Sequence, residues 1–172
     1  MLKVAGAVIV CLAAWGYGCS LVRQLDRHRD QLFACGEMME LLMGEIRYGK
    51  TPFWDAFLRI AERMQEPFSS VLREISVEIT KNQYESLEHI WVETFEKKKK
   101  ELSFAPGEWE ILKGVGKNLG YLDVQAQIQH LTLYRKQMQK CLEELEKGAK
   151  EKKRIYRSVS LMVGAMVVLI LA

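Results

Sequence analysis

The chain has 172 residues, a formal net charge of +3 and 49% hydrophobic residues. A disordered chain would carry fewer large apolar residues and more net charge, so the composition indicates one modest folded domain. The small net charge gives no indication of nucleic-acid binding, and we expect no nucleic-acid partner. In a reducing cytoplasm the four cysteines are expected to be small apolar side chains (Cys11, Cys19, Cys35 and Cys141).

The chain begins with an apolar segment that is long enough to cross a bilayer. Residues 4–22 carry no charge, and a helix of that length is about 28 Å long, close to the thickness of the hydrocarbon core. We therefore predict an N-terminal transmembrane helix over residues 1–22. Ala14 and Gly18 would let another membrane helix approach closely, although small residues are frequent in such helices in any case.

Three helices are predicted in the first half of the chain beyond that segment. The first has apolar residues at steps of three and four (Leu32, Cys35, Met39, Leu42 and Ile46). It is expected to end near Tyr48 and Gly49. Thr51 is expected to cap the second helix with Pro52 at its first position, and Pro67 to open the third.

Three further helices are predicted in the second half. Ser86 is expected to cap the fourth, which ends in the lysine run at residues 97–100. Pro106 is expected to open the fifth, which ends at Leu119-Gly120, and Asp123 to cap the sixth. Because no aromatic residues are interleaved, the lysine run is better explained as a solvated helix end than as a phosphate-binding patch.

The sixth helix has no proline or turn cluster before the second apolar segment and can continue into it. Residues 158–172 would form a helix of about 22 Å, shorter than the hydrocarbon core. We predict a short C-terminal membrane anchor there, which crosses fully only with local thinning or a partner. No stretch alternates apolar and polar residues for long, so the predicted fold is all-α, a compact bundle of about six helices over residues 23–157.

Basic residues flank both apolar segments. Arg23 and Arg27 follow the first, and four basic residues precede the second (Lys152, Lys153, Arg154 and Arg157). The positive-inside rule then predicts a bundle in the cytoplasm. A cleaved signal peptide beginning at Lys3, or a lipoprotein cleavage site at Cys19, is an alternative, but either would export basic residues against the same rule.

Residues 44–51 match the phosphate-binding pattern G-x-x-x-x-G-K-[ST]. A true phosphate loop follows a buried strand and opens a helix, whereas residues 38–43 are helical in period and Ile46 continues the apolar stripe. We therefore interpret the match as a helix end with Gly49 as its stop. Nucleotide binding through Lys50 is kept as an alternative function.

No other catalytic or metal-binding pattern is recognisable. The three histidines are far apart, and the patterns H-E-x-x-H, C-x-x-C and G-x-S-x-G do not occur. We expect no enzyme activity, no catalytic residue, no metal and no cofactor. Trp54, Trp91 and Trp109 lie one per helix at positions compatible with the core, and we expect them to be packing anchors. The alternative is that one of them marks a partner-binding groove.

Several segments together resemble one known family. They are Met1-Leu2-Lys3 with Gly6-Ala7, residues 45–52, and residues 119–123 with Gln127. The chain is similar over essentially its whole length to the stage III sporulation protein AB family of endospore-forming bacteria. The pattern Tyr48-Gly49-x-Thr51-Pro52 is fairly specific to that family. The pattern Leu119-Gly120-x-x-Asp123-x-x-x-Gln127 recurs in the cytoplasmic domain of the platform proteins of type II secretion and type IV pilus machines.

The resemblance implies a non-enzymatic platform subunit in the channel complex that links mother cell and forespore. It implies a location in the mother-cell membrane around the forespore, a secretion-type ATPase and other channel subunits as partners, and a bundle that faces the ATPase. The chain departs from the family at Phe53 and Asp55, where Leu and Glu are expected, and both changes keep the chemical class.

The best candidate surface for a partner is the cluster of loops around Tyr48 to Pro52 and Gly120 to Asp123. The motif residues are candidate partner contacts, or equally caps and turns that serve the fold (Tyr48, Gly49, Thr51, Pro52, Leu119, Gly120, Asp123 and Gln127). A third possible function is a lipid-binding coiled coil that uses the basic run at residues 147–157. Each basic residue near an anionic surface contributes about 1 kcal/mol to such binding.

Overall fold

The computed structural model describes residues 2–48, 52–81, 86–117, 119–120 and 122–171, with the backbone alone for residues 2–15, 17–18 and 149–171. Contacts divide the chain into two units. The larger is Asp30–Leu142, which we call the bundle. The other consists of Met1–Arg29 and Glu143–Ala172.

Six α-helices make up most of the described residues, and no strand occurs among them. They are α1 (Leu2–Tyr48), α2 (Phe53–Arg63), α3 (Phe68–Lys81), α4 (Leu87–Lys97), α5 (Pro106–Gly116) and α6 (Val124–Leu171). A short 3₁₀ helix, Lys99–Glu101, follows α4. The prediction of an all-α fold with about six helices is confirmed.

Helices α2 and α3 form an antiparallel hairpin that is joined by two serines. Ser69 Oγ donates a hydrogen bond to the carbonyl oxygen of Ala61 at 2.8 Å, and Ser76 Oγ donates to that of Trp54 at 2.7 Å. Both serines are buried, and their small side chains allow the two backbones to approach closely. The start of α2 therefore lies beside the end of α3.

Helices α1 and α6 also run antiparallel within the bundle. Thr132 Oγ1 lies 3.3 Å from Met43 Sδ, and one turn further along α6 Arg135 Nη2 lies 3.7 Å from Glu40 Oε2. Residues later in α6 thus contact residues earlier in α1, so the two helices run in opposite directions.

Gln31 fixes the connection between α4 and α5 at the end of the bundle where α1 enters. Its Nε2 donates to the carbonyl oxygen of Glu101 at 2.9 Å, and its Oε1 accepts from the backbone N–H of Ser103 at 2.7 Å. Gln31 is itself buried. The connection therefore lies at the end of the bundle opposite to Tyr48.

Aromatic side chains from α2 and α4 occupy the centre of the core. The Trp91 ring is fully buried, 4.7 Å from the Phe95 ring and 5.9 Å from the Phe57 ring. Trp109 is also buried, and its Nε1 donates to Glu96 Oε1 at 2.9 Å. The prediction that Trp91 and Trp109 are packing anchors is confirmed.

The prediction that Trp54 belongs to the core is wrong, because its side chain is 40% exposed. Phe57 and Ile60 define the buried face of α2. At about 100° per residue, Trp54 lies to one side of that face. Spacing alone does not separate the centre of an apolar face from its edge.

Two glycines let neighbouring helices contact the backbone of α5. A β-carbon at Gly116 would lie 2.5 Å from Trp91 Cδ1, and one at Gly114 would overlap the Tyr134 ring. Trp91 Nε1 also donates to the carbonyl oxygen of Leu112 at 2.9 Å. Helix α5 is thus packed against α4 through Trp91 and against α6 through Tyr134.

Three helix boundaries differ from the predictions. Helix α3 begins at Phe68, one residue after the predicted Pro67. Helix α2 begins at Phe53 with Pro52 at its N-cap position (φ −60°, ψ 152°), so Pro52 is not the first helical residue. The predicted cap Thr51 lies outside the described residues. Helix α5 ends at Gly116 and not at Leu119-Gly120, because the backbone of Lys117 is extended (ψ 134°).

Three predicted helix starts are confirmed. Pro106 is the first residue of α5. Ser86 Oγ accepts a hydrogen bond from the backbone N–H of His89 at 3.2 Å and caps α4. Asp123 caps α6 in the same manner, with the contacts given below.

Over the part of the chain that the structure describes, no helix is both long enough and apolar enough to cross a membrane. The predicted membrane segments, residues 1–22 and 158–172, lie largely outside the residues with described side chains. The backbone of α6 continues without a break from Val124 to Leu171. The prediction that the sixth helix extends into the second apolar segment is therefore confirmed.

Candidate partner-binding surface

One end of the bundle brings four chain segments together, and we call it the loop end. It consists of Tyr48, residues 52–54, residues 76–81, and residues 119–120 with 122–124. Ser76 joins α3 to the first turn of α2 through the carbonyl oxygen of Trp54. A β-carbon at Gly120 would lie 3.5 Å from the Phe53 ring. The α1–α2 and α5–α6 connections, where the sequence places the two family motifs, thus meet here.

Leu119 and Gly120 shape the turn before α6. Leu119 is buried in the core. Gly120 has a φ of +84°, a left-handed conformation that costs other residues about 1–2 kcal/mol. These two motif residues serve the fold, because one fills the core and the other permits the turn.

Asp123 and Gln127 fix the start of α6. Asp123 Oδ1 accepts from the backbone N–H groups of Gln125 at 2.9 Å and Ala126 at 3.0 Å, which satisfies two otherwise unpaired donors. Gln127 is buried, and its Nε2 donates to the carbonyl oxygen of Leu122 at 2.6 Å. Its Oε1 has no hydrogen-bond partner within the described ranges. The pair holds residue 122 in place and leaves its side chain at the surface.

Tyr48 is the most exposed large side chain of the family motif between α1 and α2, at 82%. Its ring lies 6.0 Å from the guanidinium carbon of Arg47. Pro52 is exposed, and its carbonyl oxygen accepts from the backbone N–H groups of Asp55 and Ala56 at 3.1 Å. The predicted motif residues Gly49 and Thr51 lie outside the described residues.

Exposed large apolar side chains are concentrated at the loop end. Among the described residues there are eight, and five of them lie here: Tyr48, Trp54, Val77, Leu122 and Val124. We call these five the loop-end patch. Leu58, also exposed, lies one turn along α2 from Trp54 and extends the patch down the hairpin.

Sequence reasoning missed Val77 and Val124 as surface residues. It included Leu122 in the candidate surface and placed Trp54 in the core, with a partner-binding groove at a tryptophan only as the alternative. A signal was present for Val77, which lies off the stripe that runs through Leu72 and Ile75. A large apolar residue outside the apolar stripe of its helix is a candidate for contact with another molecule. Leu122 and Val124 flank a helix cap, and no periodicity applies there.

The lysine run at residues 97–100 is largely neutralised by neighbouring carboxylates. Three of its lysines lie within 3.5 Å of a glutamate oxygen (Lys97 with Glu93, Lys98 with Glu101, Lys99 with Glu96). The hydrogen bond from Trp109 and the charge of Lys99 hold the pKa of Glu96 below its usual range. The prediction of a solvated helix end is confirmed.

The match to a phosphate loop does not form a loop where the structure describes it. Residues 44–48 belong to α1, so their backbone N–H groups point along a helix and do not converge on a phosphate. Residues 49–51 lie outside the described part.

Cys35 is fully buried, which raises the pKa of its thiol well above the usual range and makes it unreactive.

Of the basic residues that flank the apolar segments, Arg23 and Arg27 are exposed on α1. The side chains of the others lie outside the described residues (Lys152, Lys153, Arg154 and Arg157).

The fold defines the chain as an all-α protein with an antiparallel helical bundle, to which its long first and last helices both contribute. The model of the family "Stage III sporulation protein AB" matches residues 3–172, and the chain therefore belongs to that family, which places it in sporulation. Stage III sporulation protein AB of Bacillus subtilis (strain 168) is 26% identical over 171 residues, 99% of each chain. A solved structure of Stage III sporulation protein AB matches with a TM-score of 0.67 and 26% identity, over 73% of this chain and 98% of that one.

Proposed function

We propose that this protein is a non-enzymatic, membrane-anchored platform subunit of a secretion-like channel between mother cell and forespore. The bundle lies in the cytoplasm, and its loop-end patch contacts the secretion-type ATPase of the same complex. Membership of a sporulation family supports the process. The similarity of the α6 start to platform proteins supports the role.

The observation that carries the proposal is the loop-end patch itself. Soluble proteins seldom leave large apolar side chains grouped on one surface unless that surface binds something. Trp54 and Tyr48 are of the residue types enriched at the centres of protein interfaces. The turn beside them is held by Gly120 and Asp123, so little conformational freedom would be lost on binding.

Membrane anchoring agrees with the direction of the chain within the bundle. Helix α1 enters the bundle at Asp30 and α6 leaves it at Leu142, both at the end opposite to the loop end. The chain therefore leads toward both predicted membrane segments from the same end of the bundle. The loop end is left available to a partner.

The proposal is tested by making the patch polar without touching the core. We expect the double variant Trp54→Ser, Leu122→Ser, expressed in an endospore-forming host, to lower spore yield at least tenfold. We also expect the ATPase to stop co-purifying with the protein, because two apolar anchors of the interface are lost.

Leu133→Ser is the matched control, since Leu133 is 53% exposed on α6 away from the loop end. This variant should sporulate normally at the same protein level. Undiminished co-purification of the ATPase with the double variant would show that the loop-end patch is not the contact.

A further inference from the structure

A groove runs along the side of the bundle between α1 and α6, near the end opposite to the loop end. It has a volume of about 420 Å³. The side chains used below are Phe33, Gly36, Glu37 and Glu40 on α1 and Arg135 and Leu142 on α6. All six lie within Asp30–Leu142, so the groove belongs to the bundle alone.

The apolar part of the groove is open to solvent. Phe33 is 64% exposed, although its neighbour Leu32 is buried beneath the groove. A β-carbon placed on Gly36 would meet no atom within 4 Å, so there is free space one turn along α1 from the phenyl ring. Leu142 closes the groove from the side of α6. An exposed aromatic ring beside free space along two helices suits an inserted apolar side chain of a third helix.

The rim of the groove carries excess negative charge. Glu37 is exposed and forms no ion pair with any residue that the structure describes. Glu40 and Arg135 are 3.7 Å apart, with side chains 63% and 39% exposed, so their attraction is weak and easily rearranged. The groove therefore presents two carboxylates against one guanidinium.

The negative charge of the rim favours some ligands of the apolar groove over others. A second copy of the chain would bring a groove of the same net negative charge against this one, and like net charges oppose association. An anionic lipid headgroup is disfavoured for the same reason. A helix with Lys or Arg beside its apolar face would pair with both glutamates.

We propose that the groove between α1 and α6 binds an amphipathic, basic α-helix of a partner protein. Phe33 and Glu37 are one turn apart on α1, and Glu40 follows three residues later, so the three side chains lie on one face. The partner helix places an apolar side chain between Phe33 and Leu142 and basic side chains against the two glutamates. This interaction surface is separate from the loop-end patch and does not depend on an ATPase partner.

The probe for this surface is a synthetic amphipathic helix of Leu, Ala and Lys, compared with the same peptide carrying Glu in place of Lys. Binding of each labelled peptide to the full-length protein in one non-ionic detergent is followed by fluorescence anisotropy, and the signal of the same peptide in protein-free micelles is subtracted. We expect the lysine peptide to bind at least tenfold more tightly than the glutamate peptide. Phe33→Ala and Glu37→Lys should each lower the affinity for the lysine peptide at least fivefold.

Leu133→Ala and Glu62→Lys are the matched controls, because both positions are exposed outside the groove. They should leave the affinity for the lysine peptide unchanged. Equal binding of the two peptides, no binding of the lysine peptide, or equal effects of groove and control variants would overturn the proposal. So would a change in oligomeric state caused by Phe33→Ala in light scattering, since the groove would then join copies of this chain.

Discussion

Two glycines of the bundle have opposite surroundings, and alanine should therefore have opposite effects at them. At Gly116 a β-carbon would lie 2.5 Å from Trp91 Cδ1, whereas at Gly44 it would meet no atom within 4 Å. We expect Gly116→Ala to lower the free energy of unfolding by about 1–3 kcal/mol, because the buried Trp91 ring must move. Gly44→Ala should raise it by up to about 1 kcal/mol, because alanine is the better helix former.

Denaturant unfolding of the full-length protein, followed by circular dichroism, measures both effects. A loss of stability in Gly44→Ala would mean that residue 44 is not in an open helix. The same variant addresses the phosphate-loop hypothesis, which requires a loop at this position. Nucleotide binding by the wild type that is lost in Gly44→Ala would contradict the helical interpretation.

At the scale of elements, His130 makes the start of α6 sensitive to pH. Its ring packs edge-on against Tyr134, with 4.7 Å between centroids. Burial, and then the positive charge of Lys117, lower the pKa of His130 below its usual 6.5. The folded state resists protonation while the unfolded chain takes up the proton. The contribution of His130 to stability is therefore complete above pH 6.5 and is lost as the pH falls below it.

As the pH is lowered from 6.5, we expect the free energy of unfolding to decrease less steeply in His130→Gln than in the wild type. Denaturant midpoints measured on both sides of that pH give the difference between the two proteins. Other titrating groups cancel in this comparison. Parallel pH profiles for the two proteins would show that His130 protonates equally easily in the folded and unfolded chain.

The starts of α4 and α6 were predictable because local chemistry decides them. Ser86 and Asp123 cap α4 and α6 through backbone N–H groups a few residues away, and a side chain carries that ability in any context. The end of α5 was not predictable from nearby residues. Gly116 ends that helix where Trp91 covers its backbone, and Trp91 comes from another helix.

In the whole molecule, the two family motifs meet at one end of the bundle, as expected from the sequence. The contact between Phe53 and Gly120 that joins them is long-range, and no local pattern in the sequence indicates it. The exposed patch around Trp54 could not be predicted either. Whether an off-stripe residue is covered depends on where neighbouring helices end, and helical periodicity carries no such information.

The proposed platform role requires the bundle to occupy the cytoplasm, where its loop end can reach a motor. The direct measurement is labelling of a single cysteine at Glu62, exposed on α2, in a chain whose four native cysteines are replaced. Intact cells are treated with a membrane-impermeant maleimide. We predict no labelling of Glu62→Cys until the membrane is permeabilised. Labelling in intact cells would place the bundle outside the cytoplasm and contradict its role as a platform for a cytoplasmic ATPase.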